Sequence, residues 1–148
     1  MVKRSQRTIY KNIPRTRIRN ILVPLDGSKN SKKSLLTAIH LAAEHEASII
    51  AIHVLNSSEK RYKQRDFEDI PPAFIIQAKK LAMKNKIPFE SRILVGDPSH
   101  SIVEYSHTHS VDLIVIGARG LSTFKKIFLG SVSQYVMQKA DMPIVLVK

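Results

Sequence analysis

Five short runs of strand-forming residues punctuate the chain, at positions 21–25, 48–55, 89–95, 113–116 and 143–147. Runs such as Ile21-Leu22-Val23 and Leu113-Ile114-Val115-Ile116 are apolar at every position rather than every second one, which fits strands covered on both faces. Between them apolar residues recur three and four apart, the spacing of a helix with one buried face. The first such stripe is Leu35, Leu36, Ile39, Ala42 and Ala43; the second Phe74, Ala78, Leu81 and Ala82; the third Ile102, Val103 and Tyr105-Ser106. A fourth helix is expected from Ser131 to about Lys139.

The punctuation agrees. Ser28 or Asn30 is placed to cap the first helix, Pro71-Pro72 opens the second, and Pro98 or Ser99 the third. Pro24 is tolerable in the first strand because pairing ends near it. Strands that alternate with helices through 148 residues predict one α/β domain with a parallel sheet and right-handed crossovers. In such sheets ligands sit at the carboxyl ends of strands, where the strand order reverses. Asp26 follows the first strand and Gly117 ends the fourth. If those strands are neighbours, the two loops face one crevice.

The stretch after the fourth strand carries the candidate chemistry. Gly117, Gly120 and Gly130 lie between a strand end and a helix start, with Ser131 directly after the last. Glycine has no Cβ, so a ligand can reach the main chain there; free N–H groups and the positive end of a helix dipole then suit an anion, above all a phosphate. The spacing is neither G-x-x-x-x-G-K-[ST] nor a G-x-G-x-x-G after the first strand. It reads G-x2-G-x9-G-S.

Composition narrows the classes. The chain has no cysteine, so disulfides, thiolate metal sites and a cysteine nucleophile are excluded, and a reducing cytoplasm is the expected setting. No apolar run reaches the roughly 18 residues of a membrane span, and no secretory signal is expected. Net charge is +12, but seven of the 24 basic residues (Lys3, Arg4, Arg7, Lys11, Arg15, Arg17, Arg19) and no acid fall in positions 1–19, leaving 17 against 12 elsewhere. Positions 1–19 therefore read as a basic arm before a domain at 20–148. A solvated tail, a contact for nucleic acid or another acidic partner, and an organelle transit peptide all remain open for it. Residues 56–71 mix both charges without an apolar period and read as a long loop, either a surface excursion or a lid.

Taken in order, these segments resemble the nucleotide-binding branch of the universal stress protein family over about residues 18–148. The resemblance rests on Ile21-Leu22-Val23-Pro24-Leu25-Asp26-Gly27-Ser28, Gly96-Asp97-Pro98, Val111 to Gly120, Leu129 to Ser133, and Met142 to Val147. It implies a Rossmann-like open five-stranded sheet of the adenine nucleotide alpha hydrolase type, flanked by helices on both faces. It also implies ATP as ligand. Asp26 would lie on the ribose or adenine side, and Val54 against the adenine. Gly117, Gly120, Gly130, Ser131 and Val132 would hold the phosphates by backbone N–H, with the Ser131 hydroxyl adding a contact. Pro24, Arg119 and Ser133 complete the implied set, Arg119 with Lys125 and Lys126 being either attractors of a polyanion or solvated loop surface. A homodimer through the last strand is implied as well.

Catalysis is a weaker expectation. Asp26 is the one acid that the pattern places at the crevice, available to hold Mg2+ through water, and neither a second carboxylate nor a catalytic Gln can be assigned, so hydrolysis should be slow or absent. His107 and His109 are two apart and diverge on a helix, His40 and His45 diverge likewise, and His53 reads as a packed or pocket-edge residue. Ser131 and Ser133 lack a nucleophile-elbow pattern. The leading expectation is an ATP-binding regulatory stress-response protein. The alternative is a dimeric interaction protein whose basic arm docks nucleic acid or an acidic partner.

Overall fold

A computed structural model of the chain describes residues 17–56, 71–121 and 129–148. The basic arm up to position 16, nearly all of the charged loop, and Lys125 and Lys126 lie outside the described residues. The elements are β1 (Asn20–Pro24), α1 (Lys29–His45), β2 (Ser48–Leu55), α2 (Ala73–Lys84), β3 (Phe89–Val95), α3 (Pro98–Thr108), β4 (Leu113–Gly117), α4 (Ser131–Lys139) and β5 (Ile144–Val147). They form one parallel sheet in the order β3-β2-β1-β4-β5, the open five-stranded α/β architecture expected from the pattern.

Side chains alternate across the sheet and so divide the core in two. Ile21, Val23, Ile49, Ala51, Leu113 and Val115 face α1 and α2, where they meet Leu35, Ala38, Ile39, Ala42, Ile75, Ala78 and Ala82. Leu22, Ile50, Ile52, Ile114 and Ile116 face α3 and α4, against Ile102, Val103, Tyr105 and Val136. Fully buried residues such as Ile21, Leu22, Ile49, Ile52 and Ile114 contribute about 1.5–3 kcal/mol each by leaving water. The edge strands β3 and β5 are only partly covered.

Two helix stripes shift from expectation. On α1 the buried residues are Ser31, Ser34, Leu35, Ala38, Ile39 and Ala42, while Leu36 is 42% exposed and Ala43 is exposed. Successive helical residues are about 100° apart, so Leu36 and Ala43 fall on the flank of a stripe centred on Leu35, Ile39 and Ala42. On α2 the fully buried positions are Ile75, Ala78 and Ala82; Phe74 and Leu81 pack from the side.

The β1–β4 junction positions the site. β1 pairs with β2 from Asn20↔Ser48 to Pro24↔Ile52, whereas its pairing with β4 covers Ile21↔Leu113 and Leu22↔Ile114. Both strands run on past that point, β1 to Pro24 and β4 to Gly117. Leu25 N–H donates to the Ile52 carbonyl at 2.8 Å, so the N–H that Pro24 lacks would have pointed the other way, towards β4, where pairing has already stopped. The β1 connection leads to one side of the sheet and the β4 connection to the other, and a cleft opens where they part.

The amino ends of the same strands are clamped. Asp112 Oδ2 accepts from Arg19 N–H and Asn20 N–H, both at 2.9 Å. Ser48 N–H donates to the Arg19 carbonyl, and the Arg17 guanidinium lies 3.9 Å from Glu46. Residues 17–19, basic in pattern, thus run along the domain.

Candidate functional site

The cleft at the carboxyl ends of β1 and β4 has a volume of about 290 Å3. Pro24, Asp26, Val54, Gly117, Arg119, Gly120, Gly130, Ser131, Val132 and Ser133, drawn from four separate segments, all line it. Val54, Ile102, Ile116 and Val132 make one wall apolar; Asp26 and Arg119 are the charged residues on it among those described.

Asp26 is oriented by its own turn. Its Oδ1 accepts from Ser28 N–H at 2.9 Å, and Gly27 between them takes φ +83°, a left-handed conformation that glycine adopts without strain. The Ser28 hydroxyl then caps α1 by accepting from Ser31 N–H at 3.1 Å, so of the two candidate caps Ser28 serves.

The three loop glycines do different work. A Cβ on Gly117 would lie 3.0 Å from the Asn30 carbonyl carbon and Cβ, so glycine lets the end of β4 meet the start of α1. A Cβ on Gly120 would lie 2.5 Å from Asp26 Oδ2. At Gly130 a Cβ would meet nothing nearer than 3.6 Å among the described residues, and the backbone there, φ −70° and ψ 156°, suits any residue. The described part of the fold therefore makes no demand for glycine at 130. Its bare backbone borders the cleft.

Gly130 is also the N-cap of α4 and offers no side chain to bond the first-turn N–H groups, in contrast with Ser28 on α1 and Asp97 on α3. The positive end of α4 opens on the cleft through Ser131 and Val132. Ser133 holds this end in place: buried, it donates its hydroxyl to the Ala118 carbonyl at 2.9 Å and the Gly130 carbonyl at 3.0 Å. Gly130 N–H donates to the same Ala118 carbonyl at 2.7 Å.

Sequence reasoning did not select Leu25, Ser28, Ser31, Pro98 and Ile102 as lining residues, yet they line the cleft. The signal for Pro98 was its place in a strand-to-helix turn at a carboxyl end of the sheet. His53, expected in the core or at a pocket edge, is on the edge: its Nδ1 bonds the Leu25 carbonyl at 2.8 Å and its ring meets Phe74 edge-on, centroids 5.0 Å apart. A carbonyl only accepts, so Nδ1 carries the proton.

Just outside the cleft, Asp97 caps α3. The Ser99 hydroxyl, His100 N–H and the His100 ring all bond its carboxylate and hold it well below the usual carboxylate range. Burial pushes the Tyr105 hydroxyl up, Glu90 adding to the effect. His107 pairs with Asp141 at 3.3 Å, while His109 stacks on Tyr105. No group of three or more metal-ligating side chains occurs among the described residues, and no helix among them is long and apolar enough to cross a membrane.

Residues 17–148 match the universal stress protein family. The chain is 32% identical to the stress response protein NhaX of Bacillus subtilis, over 86% of this chain and 96% of that protein. Among solved structures, that of protein MJ0577 of Methanocaldococcus jannaschii superposes with a TM-score of 0.80 at 26% identity, covering 89% of this chain and 96% of that one. A universal stress protein solved in complex with cAMP superposes with a TM-score of 0.67 at 27% identity, over 88% of this chain and 96% of the other. The match spans every strand and helix described above, including the divided β1–β4 junction and its glycine loop, and the chain belongs to the universal stress protein family.

Proposed function

We propose that this chain is an adenine-nucleotide-binding regulatory protein that holds ATP in the β1–β4 cleft and hydrolyses it slowly or not at all. The observation that carries this reading is Gly130: a glycine that neither its backbone conformation nor its described neighbours require, standing as a side-chain-free N-cap on a helix that opens on the cleft. The phosphates are assigned to the N–H groups of Gly117, Gly120, Gly130, Ser131 and Val132, with Arg119 as counter-charge. The nucleoside is assigned to the apolar wall, the base against Val54 and Pro24 and the ribose towards Asp26. A structural relative bound to cAMP supports an adenine nucleotide as the ligand class.

The residues fit Mg2+ only as a partner of the nucleotide. Asp26 would supply one carboxylate, and an ion of this kind takes its remaining ligands from water and phosphate oxygens. Bound there, Mg2+ would neutralise phosphate charge. Asp26 is the single acid lining the cleft among the described residues, and its Oδ1 is already engaged by Ser28 N–H. Among the described residues that leaves no second carboxylate to activate water, in keeping with a binder in which nucleotide occupancy sets the state of the protein. We assign dimerisation to the β5 edge, where Ile144–Val147 is half-covered and, among the described residues, pairs on one side only.

Nucleotide released from denatured, freshly purified protein, identified by chromatography, tests the reading, with titration calorimetry of ATP, AMP and cAMP beside it. A cleft that takes up none of them ends the proposal. The charge concentrated in positions 1–19 favours a second activity, docking of nucleic acid or an acidic partner by the arm. Salt-sensitive binding that disappears with those residues would establish it.

A further inference from the structure

We infer that His53 is a positioning residue for Asp26, and that nucleotide affinity depends on its Nδ1 through the backbone rather than on contact with the ligand. The inference rests on the reading of the cleft as a nucleotide site. In the β1–β2 ladder the Leu25 N–H still reaches β2, at the Ile52 carbonyl. The Leu25 carbonyl lies where the next rung would fall, and there the side chain of His53 bonds it at 2.8 Å. The imidazole thus extends the hold of β2 on β1 to the peptide unit that joins Leu25 to Asp26.

The far side of Asp26 is held by the same assembly. Phe74, from the first turn of α2, presents its ring edge-on to His53. It also packs so close over Gly27 that a Cβ added there would lie 3.0 Å from Phe74 Cδ1. His53 and Phe74 therefore bracket Asp26, one through Leu25 and the other through Gly27. Between these two points Asp26 Oδ1 receives Ser28 N–H and Oδ2 is pressed towards Gly120. Without the imidazole bond the Leu25–Asp26 peptide can rotate, and the carboxylate loses the geometry that faces the cleft. The bond is therefore set apart from general packing: it fixes the peptide that carries the acid.

The test compares ATP affinity by calorimetry in wild type, His53→Phe, His53→Asn, Asp26→Asn and the double variant His53→Phe/Asp26→Asn, with thermal melting of each. Phe keeps the ring against Phe74 and removes the donor; Asn keeps a donor near the place of Nδ1. His53→Phe should weaken ATP about tenfold and His53→Asn by no more than about threefold, as loss and retention of one oriented hydrogen bond imply. In the double variant the two losses should overlap rather than add, because both act on one carboxylate. Unchanged affinity in His53→Phe, additive losses, or failure of Asn to rescue overturns the inference while leaving the nucleotide site standing. Wild-type protein that binds no adenine nucleotide overturns both. Should His53→Phe not fold, His53→Gln, whose donor falls near Nε2 instead, takes its place. Asn must then bind ATP better than Gln, and the reverse order overturns the inference.

Discussion

Gly120 stands so close to Asp26 that a Cβ built on it would lie 2.5 Å from Asp26 Oδ2. The β4 loop and the β1–α1 turn therefore meet through an absent side chain. Because Oδ1 is tied to Ser28 N–H, the carboxylate cannot swing away without giving up that bond. Gly120→Ala should leave the fold intact, since the position is exposed, but should turn Asp26 from the cleft and weaken ATP about tenfold, ~1.4 kcal/mol. Calorimetry and a melting curve check the two halves of this expectation. Unchanged affinity would show that the ligand ignores the position of Asp26.

Gly130 supplies the opposite case. Its backbone angles suit any residue and, among the described residues, a Cβ meets only ordinary contacts of 3.6 Å and beyond, so Gly130→Ala should cost no more than about 0.5 kcal/mol of stability. Gly130→Val should place methyl groups where the phosphate would approach the backbone and abolish measurable ATP binding. A valine variant that binds as wild type does would remove the loop from the site.

Much of this arrangement was legible in the chain. The apolar runs gave strands covered on both faces, and the β1 and β4 loops were expected to share a crevice if those strands were neighbours. The strand order decides that condition, and no local pattern carries it. Other features needed three dimensions for specific reasons. Pro24 is harmless because its ring nitrogen faces the side on which pairing has stopped, a matter of strand parity against a partner strand whose paired residues lie 92 positions away. Leu36 and Ala43 look like core by spacing alone, yet they sit on the flank of α1, since a stripe narrower than its list of apolar residues leaves some outside. The role of His53 depends on a carbonyl 28 residues upstream, and no periodicity reports it.

Ser133 ties that loop to its helix. Its hydroxyl reaches the Ala118 and Gly130 carbonyls, but Ala118 O also receives Gly130 N–H and Gly130 O receives Gln134 N–H, so neither acceptor is orphaned when the hydroxyl goes. Ser133→Ala should therefore cost only about 1 kcal/mol, a fall in melting temperature of about 3–4 °C for a chain this size. A drop of 10 °C or more would mean that the hydroxyl holds far more than the loop.

Asp97 gives the fold a dependence on acid. The Ser99 hydroxyl, the His100 N–H and the His100 ring bond its ionised form and depress its proton affinity. A group held below its unfolded value binds fewer protons in the folded state, so stability must fall as the pH falls. Its contribution is present in full above the ordinary carboxylate value near pH 4 and fades as the pH drops below it towards the folded-state value. The side chain is 60% exposed, and screening by water keeps the effect small. Asn serves nearly as well as Asp at an N-cap, so Asp97→Asn should match wild type within about 1 kcal/mol at pH 7 but lose less stability between pH 5 and pH 3. Urea unfolding midpoints at these three values decide it, and parallel acid curves for the two proteins would assign the acid sensitivity to other carboxylates.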